Sequence, residues 1–124
     1  MYKPTNGWVR KVRAFNKAYS VPKAPSIDSP ECETQIALIE EEYNELISAY
    51  AIGDHIETLD AIADSIYVLI GLAEKLGYDL TGAFAEVHRS NMSKLGPDGK
   101  PIYRPDGKVL KGPDYFKPNL APYI

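Results

Sequence analysis

The acidic run Glu40-Glu41-Glu42-Tyr43-Asn44-Glu45 is followed further along the chain by Glu57, Asp60 and Asp64. On a helix each residue turns by about 100°. Glu42 and Glu45 then share one edge of an apolar stripe, Glu41 lies one step further round, and Glu40 falls on the solvent side. Acids packed this closely repel unless a cation sits among them. Asp60 and Asp64 stand at i and i+4, on one face, with Glu57 a turn earlier. Asp64 lies among Ile62, Ala63, Ile66, Tyr67 and Val68, which read as core. A lone carboxylate there is costly unless it is paired or bound to metal. Carboxylates converging from two helices offer hard oxygen ligands, which favour Mg²⁺, or Mn²⁺, over zinc. A solvated helix face accounts for Glu40 and Glu57 equally well. A di-iron bundle needs a Glu three residues before a His, but Ile52 and Ala85 stand at that offset from His55 and His88. Both histidines therefore read as surface or structural residues. Cys32 reads as a small buried hydrophobe and, being the only cysteine, cannot form an internal disulfide.

The elements that would position these acids are helical. Trp8, Val12, Phe15 and Tyr19 recur at helical spacing over about Gly7 to Tyr19, and Pro22 stops that segment. A second helix starts after Ser29, an N-cap followed by Pro30, and runs to about Tyr50. Its stripe is Ile36, Ile39, Tyr43, Leu46 and Tyr50. A third begins at Asp54, with Glu57 completing a capping-box pattern, and ends at Leu76 with Gly77 as its cap. It is apolar nearly all round in its middle, which predicts a buried central helix. A fourth runs from about Leu80 to Lys94, capped by Asp79 and closed by Gly96. If the second and third helices form an antiparallel hairpin through Gly53, Glu42 and Glu45 meet Asp60 and Asp64.

Prolines crowd the remainder, Pro97 to Ile124, where Pro-Asp-Gly-Lys occurs at 97–100 and again at 105–108. These are turn signals. Ile102-Tyr103-Arg104 and Lys108-Val109-Leu110 flank the second and predict a small β-hairpin. The Asp-Gly pairs lack the acidic spacing of a calcium loop. The chain thus reads as one all-α domain over residues 1–124, with a four-helix, bundle-like core at about 7–95. The Pro/Gly-rich arm at about 96–124 is expected to lie over that core.

Composition bounds the function. With 124 residues and 44% hydrophobic content the chain can form a core, and it is not disordered in type. The formal charge of −3 is unevenly spread. Residues 1–23 carry +6, residues 24–93 carry −12, and residues 94–124 carry +3. An acidic middle between basic ends suits a metal site beside a phosphate site, although charged exposed helices give the same balance. Overall acidity argues against a duplex nucleic-acid binder. The N-terminus, Met1-Tyr2-Lys3-Pro4, has no apolar run. The longest apolar stretch, Ala61 to Ala73, carries Asp64 and is too short to span a bilayer. A soluble cytoplasmic protein is expected.

At this point the residues resemble a known family. Leu38-Ile-Glu-Glu-Glu-Tyr-Asn-Glu-Leu46 looks like the first signature of the MazG-like, all-α nucleoside triphosphate pyrophosphohydrolases. Glu41, Glu42 and Glu45 match its adjacent glutamates and the third that follows. Ala63-Asp-Ser-Ile-Tyr67 matches the Asp half of the second signature, which gives Asp64 a ligand role. The family pattern has a Glu three residues before that Asp. Here Ala61 stands there and Asp60 is one residue earlier, so Glu57, Asp60 and Glu41 all remain candidates to complete a metal shell. Val87-His-Arg-Ser-Asn-Met-Ser-Lys94 looks like the family's fourth-helix segment, which implies substrate contacts for Asn91 and Lys94. Gly107-Lys-Val-Leu-Lys-Gly-Pro-Asp-Tyr115 resembles the tail of a phosphoribosyl-ATP pyrophosphohydrolase-like subgroup. The matched parts cover most of residues 30–120. The resemblance implies a homodimer or dimer of dimers, with pockets lined partly by a second subunit.

The expected reaction is Mg²⁺-dependent hydrolysis of a nucleoside triphosphate to its monophosphate and pyrophosphate, as nucleotide-pool housekeeping. Glu42, Glu45 and Asp64, with Asp60 or Glu41, would bind metal, and Glu41 would act on the attacking water. Lys94, with Lys108 or Lys111, would neutralise phosphate oxygens. Asn16 and Tyr19, with Trp8 and Phe15, are candidates to contact a base, although core packing is the commoner role of such aromatics. Two other readings stand beside this one: phosphoribosyl-ATP hydrolysis, and a non-catalytic helical protein that binds a nucleotide or a partner helix.

Overall fold

Helix starts are set by short polar side chains that take up free backbone N–H groups. In the computed structural model, which describes residues 4–124, Asn6 Oδ1 accepts from Trp8 N at 2.8 Å and opens α1 (Gly7–Ala18). Ser29 Oγ accepts from Cys32 N at 3.3 Å at the head of α2 (Pro30–Ala51), with Pro30 in the first turn. Asp54 Oδ1 accepts from Glu57 N at 3.0 Å and opens α3 (His55–Leu76). Asp79 Oδ1 accepts from Gly82 N at 3.0 Å and opens α4 (Leu80–Met92). Gly77 closes α3 at φ 73°, a left-handed conformation that glycine adopts without a Cβ penalty. A 3₁₀ turn, Ala121–Tyr123, follows near the end. Met1 to Lys3, read above as lacking an apolar run, lie outside the described residues.

The protein is all-α, with four α-helices, and no strand occurs among the described residues. The chain divides into two compact units, one ending at Tyr78 and one over Asp79–Ile124. In the first unit α2 and α3 form the expected antiparallel pair, turned at Gly53, and α1 packs on α3. Side chains fix the register of the pair. Gln35 Nε2 donates to Val68 O at 2.7 Å, and Lys75 Nζ donates to Glu31 O at 3.2 Å. Gly71 makes room for Gln35, since a Cβ there would run into the Gln35 amide.

The core of this unit is small: Val9, Val12, Cys32, Ala49, Ala61, Ile70 and Ala73 are buried. The middle of α3 departs from the sequence expectation of a buried central helix. Ile56, Leu59, Ile62, Tyr67 and Leu69 are exposed on it. A helix apolar all round needs neighbours on every side, and within its unit α3 has two. Trp8, Phe15 and Tyr19 are likewise exposed rather than packed in a core.

In the second unit the tail is tied to α4. Ser90 Oγ donates to Phe116 O at 2.8 Å, Asn119 N donates to Glu86 Oε1 at 3.1 Å, and Arg89 stacks over the Phe116 ring at 4.2 Å. The hairpin expected around Pro105 to Lys108 is reduced to one antiparallel bridge, Tyr103 to Val109. The ladder stops for two reasons. The Lys100 N–H turns to Asp98 Oδ1 at 3.0 Å, and the Gly112 N–H turns away to Lys94 O at 2.9 Å. Helix α4 also ends at Met92, short of the expected Lys94, and residues 93–95 form a turn.

Candidate metal centre

Antiparallel pairing of α2 and α3 sets Glu42 opposite Asp64. Glu45, one turn further along α2, joins them. One carboxylate oxygen from each of Glu42, Glu45 and Asp64 lies within 4.8 Å of the others. Glu42 and Asp64 are half-buried and Glu45 is exposed. Glu42 Oε2 is buried and has no hydrogen-bond partner. Burial, followed by the charges of Glu45 and Asp64, a hydrogen bond shared with the Glu45 carboxyl and the charge of Glu41, raises the Glu42 carboxyl above its ordinary range.

No ion pair among the described residues includes Glu42, Glu45 or Asp64. The ion pairs among the described residues are Arg13–Glu74, Arg89–Glu86 and Arg104–Asp106. A buried, unpaired carboxylate oxygen beside two further acids is unfavourable by itself. A hard divalent cation is what such a donor set fits, because each acid offers oxygen and no nitrogen or sulfur ligand is present in the cluster.

The other sequence candidates are placed as follows. Glu41 and Asp60 are exposed and fall outside the trio whose oxygens meet. Glu57 is exposed and its backbone N–H serves the α3 cap. Tyr19 is exposed and stacks on Phe15, with ring centroids 4.5 Å apart, while Phe15 meets the Tyr67 edge at 5.7 Å. Asn16 is half-buried on α1. Asn91, Lys94, Lys108 and Lys111 belong to the second unit. There Asn91 is exposed, Lys94 is half-buried beyond the end of α4, Lys108 is exposed, and Lys111 Nζ lies 4.8 Å from the Tyr115 ring centroid. His55 and His88 are exposed and Cys32 is buried, as the sequence implied.

Sequence reasoning passed over Ser65, whose Oγ is buried without a hydrogen-bond partner immediately after Asp64. Its signal was a hydroxyl inside the apolar run of α3.

The family model for phosphoribosyl-ATP pyrophosphohydrolase matches residues 12–91, a span that holds Glu42, Glu45 and Asp64. No curated protein matches the chain. Among solved structures, a candidate NTP pyrophosphohydrolase from Exiguobacterium sp. 255-15 is similar to it at 23% identity, over 93% of this chain and 90% of that one, with a TM-score of 0.49. On the family match, which spans most of its length, the chain belongs to the phosphoribosyl-ATP pyrophosphohydrolase family, within the MazG-like superfamily of pyrophosphohydrolases.

Proposed function

We propose that the protein hydrolyses a nucleoside triphosphate to the monophosphate and pyrophosphate, with Mg²⁺ held by Glu42, Glu45 and Asp64. The observation that carries this reading is the convergence of those three carboxylates around a buried Glu42 oxygen that has no hydrogen-bond partner among the described residues. Bound there, a divalent ion neutralises and polarises phosphate oxygens. Asp64 and Glu42, anchored on paired helices, fix the direction from which the phosphates approach. Glu41, on the exposed side of the cluster, accepts the proton of a water aimed at the α-phosphorus. The new P–O bond forms in line as the bond to the β-phosphate bridging oxygen breaks, and pyrophosphate departs. Asp60, or Glu41 where it does not act on the water, would complete the metal shell.

A second copy of the chain would cover apolar surface. Large apolar side chains such as Tyr50, Ile52, Ile56 and Leu59 are exposed around the α2–α3 turn. No helix of the described residues is long and apolar enough to cross a membrane. The matched family model favours a second substrate reading, phosphoribosyl-ATP. Pyrophosphate release from a panel of ribo- and deoxyribonucleoside triphosphates and phosphoribosyl-ATP, with and without Mg²⁺, separates these readings. Release that needs Mg²⁺ is expected. No release from any member would leave only a binding role.

A further inference from the structure

The C-terminal end of α3 carries the reverse charge. There, Arg13, Asn16 and Lys17 of α1, Lys23 of the following loop, and Glu74 and Lys75 of α3 line a cavity of about 180 Å³. Glu74 is already used: its Oε2 and Oε1 accept from Arg13 Nε and Nη2 at 2.8 and 2.9 Å. Lys75 is buried, at 6% exposure, and its Nζ donates to a neutral acceptor, Glu31 O, at 3.2 Å. An ammonium has three donors, and no carboxylate pairs with this one among the described residues. The nearby Glu31 carboxylate likewise leaves its Oε2 buried and unpartnered. Lys17 and Lys23 are exposed and add charge at the rim. With Glu31 and Glu74 both counted against Arg13, Lys17, Lys23 and Lys75, the site keeps a positive surplus.

We infer that this cavity is a second site, which binds a phosphate-class oxyanion. Charge favours an anion, and the Asn16 amide and lysine ammonium groups supply donors that suit phosphate oxygens. Size selects within that class. The cavity volume is about 180 Å³. It is smaller than the roughly 300–1,000 Å³ of pockets that take whole drug-sized ligands. Inorganic phosphate or pyrophosphate fits; an entire nucleotide does not. Ten residues of helix separate Glu74 from Asp64, about 15 Å at 1.5 Å per residue, so the anion would not share the acid cluster. The inference does not depend on the hydrolytic reading.

The test is calorimetric titration of metal-stripped full-length protein with inorganic phosphate and with pyrophosphate. Saturable binding of at least one is expected, and the tighter of the two names the source. The Lys17→Gln/Lys23→Gln double variant alters exposed residues and should weaken that binding by about tenfold or more, as loss of charge-assisted partners implies. Glu42→Gln should bind the anion as the wild type does. No saturable binding of either anion, undiminished binding in the double variant, or loss of binding in Glu42→Gln would overturn the inference.

Discussion

Glu42 and Glu86 are both acids withdrawn from solvent on helices, one in each compact unit, and their surroundings are opposites. Glu86 is 8% exposed and fully served: Arg89 Nε and Nη2 donate to it at 3.1 and 2.9 Å, and Asn119 N donates at 3.1 Å. The Arg89 hydrogen bonds, with that backbone donor, hold its carboxyl below the ordinary range. Glu42 has acids for neighbours and an oxygen without a partner, and its carboxyl is pushed up. The first arrangement fastens a tail to a helix and is complete in the protein alone. The second leaves a buried carboxylate oxygen without a partner among the described residues, which is the place of the proposed cation. An acid with its own Arg is structural; an acid among acids at a helix interface is the candidate for chemistry.

The largest expected effect breaks the second arrangement. Asp64→Ala or Glu42→Ala should lower Mg²⁺-dependent pyrophosphate release at least about a hundredfold, since several kcal/mol of charge stabilisation is lost. Circular dichroism should show the helices retained. Glu86→Gln should leave pyrophosphate release in place. Smaller is the cost of orphaning a structural acid. Arg13→Ala leaves the Glu74 side chain, 7% exposed, without its two donors. It should destabilise the first unit by roughly 1–3 kcal/mol in urea unfolding.

Smallest is the pH response of the second unit. Because the folded state lowers the Glu86 pKa, its contribution is present above the ordinary value of 4.5 and is lost as pH falls through the lowered folded value. Stability followed from pH 7 downward should therefore fall below about 4.5 in the wild type and fall less steeply in Glu86→Gln. An identical acid profile in the two proteins would remove Glu86 from the account.

Much of the convergence of the three acids was legible in the sequence. The angular positions of Glu42, Glu45 and Asp64 needed only helical periodicity, and the caps Ser29, Asp54, Asp79 and Gly77 fixed where the helices begin and end. Asp60 shows where periodicity fails. Its i+4 spacing to Asp64 is sound, yet the register of the helix pair, set by Gln35 on Val68 and Lys75 on Glu31, leaves Asp60 in solvent. Register depends on contacts far apart in sequence. The basic cavity was hidden for the same reason, since Arg13 and Glu74 are 61 residues apart. The Tyr103–Val109 turn was readable from Pro105-Asp-Gly-Lys108, but its failure to extend rests on the Gly112 bond to Lys94, which no local pattern announces.

The central claim is that the α2–α3 acids are completed by a divalent cation, and Mg²⁺ titration followed by thermal unfolding tests it most directly. Wild-type protein at about a hundred times the dissociation constant should gain about 2.7 kcal/mol. Glu42→Gln should start with the helices intact and gain little over the same Mg²⁺ range. An equal gain in both proteins, or none in the wild type, would contradict the account.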